Sequence, residues 1–349
     1  MSINRRIALG LSAAALACSF ATGASAQTTP EVTLRLHHFL GAQANVPKSF
    51  LEPWARKVEA DSKGKIKVDV YPSMQLGGKP PQLYDQAKDG IVDIVWTLSG
   101  NTPGRFPKLE VFELPWMPSA KGEVTSQALW DFWQAHAKDE AKDVKVLAIF
   151  AHAKGNFYTK DKQVVTPADI KGLKIRVPTR TINDTLVLMG ASPQGIPAPG
   201  VPEALAKGVV DGVMMPFEVV PALKIHELTN KASTFAGDRG LYTAVFFLAM
   251  NQAKYDGLTS ELKKVIDDNS GMFASKWAGK VFDDSDKIGL EALASVKTEI
   301  KVIDGADLAA WKAATKPINE AWVAARDKEG AKGADLLKAA DDLIVKYSK

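Results

Sequence analysis

A chain of 349 residues, 46% hydrophobic and 24% charged, carries enough apolar material for two cores, and two lobes are expected at this length. The formal charge of +4 is small, and the charged residues are interspersed, which argues against a nucleic-acid stripe or an acidic tail for a cationic partner. The single cysteine, Cys18, leaves the rest of the chain without a disulfide, a thiol nucleophile or a cysteine-ligated metal.

Residues 1–26 read as a secretory leader. Arg5 and Arg6 form a basic start, Ile7 to Phe20 is an apolar run too short to span a bilayer, and Ala24-Ser25-Ala26 is a small-residue cleavage site. A twin-arginine signal and a lipoprotein box ending at Cys18 fit less well: the rest of the first consensus is missing, and Ala15 stands where a lipobox prefers Leu. The mature chain is expected to begin near Gln27 and to be periplasmic. Arg5 and Arg6 are the only charged side chains in the leader, so its removal takes the formal +4 to +2.

Strands and helices then alternate. Val32 to Leu36 has period two, and Val46, Phe50, Trp54 and Val58 follow at helical spacing, with Pro53 predicting a kink. Strands are predicted at 66–70 and 92–96 around a helix from Pro81 to Lys88, and a helix at 125–138 precedes a strand at 144–150. Further strands are predicted at 173–177 and 209–215, with helices at 179–189 and 201–207. The apolar run Tyr242 to Met250 reads as a fully buried strand returning to the first sheet, as a hinge. Leu262, Ile266, Phe273 and Trp277 predict one long helix from Thr259 past Val281, able to brace both lobes. A strand at 299–303 precedes a helical end whose buried face carries Trp311, Ile318 and Trp322. The pattern is α/β in two lobes, with crossing hinge strands and a long lobe-spanning helix. Residues 27–152 with 241–281 form the first lobe, and 153–240 with 282–349 the second.

Hydrolase, zinc-protease, nucleotide and dinucleotide fingerprints are absent, and His37, His38, His136, His152 and His226 lack ligand spacing. Neither catalysis nor a metal or other cofactor is expected.

The stretch Asp169-Ile-Lys-Gly-Leu-Lys-Ile-Arg-Val-Pro-Thr-Arg180 is followed by Gly190-Ala-Ser-Pro193, Gly208-Val-Val-Asp-Gly212 and Met214-Met-Pro-Phe217. With Pro72-Ser-Met-Gln-Leu-Gly77, Gly90-Ile-Val-Asp-Ile94 and Glu113-Leu-Pro-Trp116, this resembles the substrate-binding proteins of tripartite ATP-independent periplasmic (TRAP) transporters, in order along the chain. The resemblance implies a non-enzymatic receptor that closes on an organic acid and delivers it to a pair of integral membrane subunits. It also implies that Arg176 holds the ligand carboxylate in a bidentate salt bridge, a role its planar fork suits. Arg180 is balanced between pocket and solvent.

Two departures stand out. Many members place a second arginine where this chain has Asn156, which offers at most a hydrogen bond, and Met215 falls where relatives have a polar or tryptophan side chain. Phe39, Thr97, Phe217, His152 and Trp116 complete the expected ligand-binding set, with Phe39, Thr97 and Phe217 favoured because they follow predicted strand ends. For each aromatic, ordinary core packing is at least as good an explanation. The expected ligand is an aromatic or apolar monocarboxylate, bound by a monomer. The rival readings are a binding protein of an ATP-driven importer and, with less support, a periplasmic hydrolase or isomerase.

Overall fold

The structure, a computed structural model, describes residues 29–349. The leader assigned to residues 1–26 and its two alternatives lie outside the described residues.

Eleven strands form two sheets. The first contains β1 (Val32–His37), β2 (Ile66–Tyr71), β3 (Ile94–Leu98), β4 (Val144–Ala151) and β10 (Val245–Asn251), in the order β2-β1-β3-β10-β4. The second contains β5 (Asn156–Thr159), β6 (Lys174–Val177), β7 (Ser192–Gly195), β8 (Gly212–Met215), β9 (Lys231–Phe235) and β11 (Glu299–Ile303), in the order β11-β9-β5-β8-β6-β7. The chain crosses between sheets after β4 and after β9, and returns through the helix Gly271–Ser295 to β11. Every residue of β10 is buried, and it runs antiparallel between β3 and β4, as its unbroken apolar run predicts.

The predicted long helix from Thr259 is two helices, Ser260–Asp268 and Gly271–Ser295. Gly271 has φ +73°, and the Trp54 indole donates to the Asn269 carbonyl at 2.7 Å, so the turn between them is held by the first lobe while the apolar stripe runs on across it. Pro53 sits in the first turn of the helix Glu52–Asp61, where the missing N–H costs nothing, so the predicted kink is replaced by a wide turn at Pro47–Leu51. Strands β5, β7 and β9 were not predicted; β7 is an edge strand containing Pro193, which weakens its strand pattern. At the C-terminal end, Trp311 of the helix Gly305–Lys328 packs in the second core, 5.4 Å from Phe235. The final helix Gly333–Tyr347 instead lies on the first lobe, with Lys346 donating to Asp131 at 2.9 Å.

Candidate functional site

Arg176 lies on β6 between Ile175 and Val177, which fill the second core; strand alternation turns Arg176 toward the space between the lobes. It is 3% exposed. Its Nε donates to the Ile196 carbonyl at 2.7 Å and its Nη1 to the Met214 carbonyl at 3.3 Å. Those two bonds fix the guanidinium plane and leave the Nη2 edge free. No Asp or Glu among the described residues pairs with it. Burial lowers its pKa to about 10, so it stays charged at neutral pH. A buried cation satisfied only by carbonyls is costly, and an incoming anion relieves that cost.

Arg176 opens onto a cavity lined by residues of both sheets. Its first-lobe wall is a run of aromatic rings: Phe39 stacks on Trp96 at 4.7 Å, Trp96 on Phe246 at 5.5 Å, and Phe246 on Phe282 at 5.5 Å. Met215, Pro216 and Ala198 form the opposing wall. Flat rings on one side and a thioether on the other make a slot suited to a planar apolar body. Among the described residues, the lining side chains that carry polar groups are Trp96, His152, Arg176, Glu218 and Tyr242, and the Trp96 indole N–H has no partner.

His152 and Tyr242 share the Arg176 end. The His152 Nδ1 bonds to the Ala153 carbonyl, and burial, with help from the Arg176 charge, lowers its pKa to about 4, so the ring is neutral. The Tyr242 hydroxyl has no partner among the described residues, and burial pushes its pKa up against the pull of Arg176, so it remains a donor. Its ring fits only because residue 155 is glycine: a Cβ there would come within 2.0 Å of it.

The remaining expected residues lie off the cavity wall. Asn156 pairs in register with Met215 but is fully buried, donating to the Lys154 carbonyl at 3.3 Å. Thr97 is buried on the opposite face of β3 from Trp96 and Leu98, the two that reach the cavity. The Phe217 ring packs edge-on against Tyr158 at 6.2 Å. Trp116 donates to Thr315 at 2.8 Å in an outer crevice beside the helix Gly305–Lys328. Arg180 pairs across the lobes with Glu110 at 2.6 Å, outside the cavity. Sequence reasoning missed Tyr242, Phe246, Phe282 and Glu218. Glu218 had a visible signal, as the lone acid between Val213 and Val220.

Two buried acids have strongly raised carboxyls. Glu113 accepts from Ser99 Oγ at 3.0 Å and from the Val245 N–H at 3.3 Å, and burial pushes its carboxyl up to about 8. Glu218, whose carbonyl accepts from Asn45 of the first lobe at 2.6 Å, is likewise pushed up to about 8 by burial. Between pH 6.5 and 8 both stay protonated when folded but ionise when unfolded, so the folded state binds more protons and stability falls as pH rises. His38 and His152, both lowered to about 4, act in the opposite sense as the unfolded chain takes up their protons, an effect that fades as pH rises above 6.5. The thermal midpoint is therefore expected to fall from pH 6.5 to 8, and Glu113→Gln to flatten the slope. A midpoint constant across that window at fixed ionic strength would contradict it.

The fold and site define a two-lobed receptor with one buried cation in an aromatic cleft. The sequence profile described as bacterial extracellular solute-binding protein, family 7, matches residues 36–325, and the chain belongs to that family, the solute-binding proteins of TRAP transporters. It is similar to a TRAP solute binding protein from Rhodoferax ferrireducens in complex with copurified benzoate: 47% identity, TM-score 0.89, covering 91% of this chain and 98% of that one. It is also similar to a marine-metagenome TRAP protein specific for aromatic acid ligands, in complex with 3-hydroxybenzoate: 48% identity, TM-score 0.90, covering 92% of this chain and 100% of that one. Among curated relatives, the 2,3-diketo-L-gulonate-binding periplasmic protein of Escherichia coli is 26% identical over 81% of this chain and 83% of its own length. The family consists of transport receptors, and no helix among the described residues is long and apolar enough to cross a membrane.

Proposed function

We propose that this chain is a periplasmic TRAP receptor for an aromatic monocarboxylate. The observation that carries the reading is Arg176, a lone buried cation at one end of a slot walled by stacked rings. The carboxylate bridges the free edge of Arg176, the Tyr242 hydroxyl donates to it, and His152 packs beside it. Phe39, Trp96, Phe246 and Met215 enclose the ring. Closure is stabilised because the ligand touches both lobes at once, Arg176 and Met215 from the second and the aromatic wall from the first. The 47% and 48% identical relatives, with benzoate and 3-hydroxybenzoate, support this ligand class. The receptor acts as a monomer, binds without turning its ligand over, needs no metal or other cofactor, and hands the ligand to the TRAP membrane subunits.

A dicarboxylate would bring a second charge, and the cavity wall has no second cation to meet it. A sugar acid would need a hydrogen-bonding wall where this one has rings and a thioether. Thermal-shift screening of the purified protein should show benzoate-type acids stabilising it most. Greater stabilisation by succinate, malate or uronates would overturn the reading.

A further inference from the structure

The cavity has a second polar group that the carboxylate anchor leaves unused. Glu218 lines it and is 4% exposed. Glu218 lies two residues beyond Pro216, on the wall that Met215 and Pro216 form against the rings. Asn45 fixes its backbone by donating to the carbonyl at 2.6 Å. The Glu218 carboxyl has no ion-pair partner among the described residues, and the Asp286 charge acts on it with the same sign. Burial and Asp286 together hold it protonated at neutral pH, so it presents one O–H donor and one carbonyl acceptor beside an apolar slot.

We infer that Glu218 recognises a hydroxyl group on the ligand's ring, which makes the preferred ligands hydroxy-substituted aromatic monocarboxylates; this rests on reading the site as an aromatic-acid pocket. A buried carboxylic acid with a purely structural role has its oxygens bonded by protein groups, because leaving them unmet is costly. Here the Asn45 amide is the one side chain that offers the carboxyl a bond, and the wall around it is rings and Met215. A phenolic hydroxyl beside it would donate to the carbonyl oxygen of the Glu218 carboxyl or accept from its O–H. An unsubstituted ring would leave both unmet, and a site that bonds a hydroxyl discriminates against the analogue without one.

The test is calorimetric titration of benzoate, 3-hydroxybenzoate and 4-hydroxybenzoate into the wild-type receptor and into Glu218→Gln and Glu218→Leu. The wild type should bind at least one hydroxybenzoate about tenfold more tightly than benzoate. The Leu variant should bring that ratio to about one, and the Gln variant, which keeps a donor and an acceptor, should retain most of it. A ratio unchanged in the Leu variant, or a wild type that binds benzoate as tightly as both hydroxybenzoates, overturns the inference while leaving the aromatic-acid reading intact. Equal losses for all three acids in both variants make Glu218 a structural residue and also overturn it. Failure of all three acids to bind the wild type sinks the aromatic-acid reading itself, and the inference with it. If the Leu variant does not fold, Glu218→Met, similar in reach and without a strong hydrogen-bonding end, replaces it under the same criteria.

Discussion

Arg176→Met should abolish the thermal shift produced by benzoate while raising the melting temperature of the ligand-free protein. These opposite effects have one cause. In the ligand-free receptor the guanidinium is buried against two carbonyls without a counter-charge, so replacing it by an apolar side chain of similar reach removes a desolvation cost. In the complex the same change leaves the carboxylate unpaired, which should weaken binding by about 2 to 5 kcal/mol. Arg176→Lys should recover little of the affinity, because a point charge cannot hold both carbonyls and present a flat edge to a carboxylate. Calorimetry with scanning fluorimetry reads both arms. Unchanged affinity in the Met variant would show that the anchor lies elsewhere.

Gly289→Val should be the most damaging glycine substitution in the helix Gly271–Ser295. A Cβ at residue 289 would lie 1.9 Å from the Phe217 carbonyl oxygen and 2.5 Å from its carbon. The clash is with backbone, which has no rotamer to escape into, so helix and loop must separate. Overpacking of this kind costs about 1 to 3 kcal/mol or more. The loop that must move follows Met215 and carries Pro216 and Glu218, so ligand affinity should fall along with stability. Gly257→Ala is the control: its Cβ would come no nearer than 3.4 Å to any neighbour, and its effect should stay within about 0.5 kcal/mol. Equal melting temperatures for the two variants would mean that the close approach of helix and loop is not maintained in solution.

Local pattern was enough for the elements that alternate or run apolar for long stretches. β1, β2 and β4 were legible from period two and burial, β10 from its unbroken apolar run, and Arg176 from the Leu-Lys-Ile-Arg-Val-Pro context in which it stands. Of Asn156 and Met215, the two departures from the family pattern, only Met215 lines the cavity.

Which side chains meet was decided by tertiary structure alone. Thr97 and Trp96 are adjacent in sequence, and alternation says they face opposite ways, but in a strand buried on both faces it does not say which face is the cleft. Phe39, Trp96, Phe246 and Phe282 come from four separate elements and form one stacked wall only after both crossings are made. The break before Gly271 was hidden for a related reason: the apolar stripe continues through it, and a hydrogen bond from the distant Trp54 holds the turn. Periodicity records that a side chain leaves water. What it leaves water for depends on contacts between residues hundreds of positions apart, and those contacts turn Arg176 from one strand residue among many into the single cation of a closed aromatic slot.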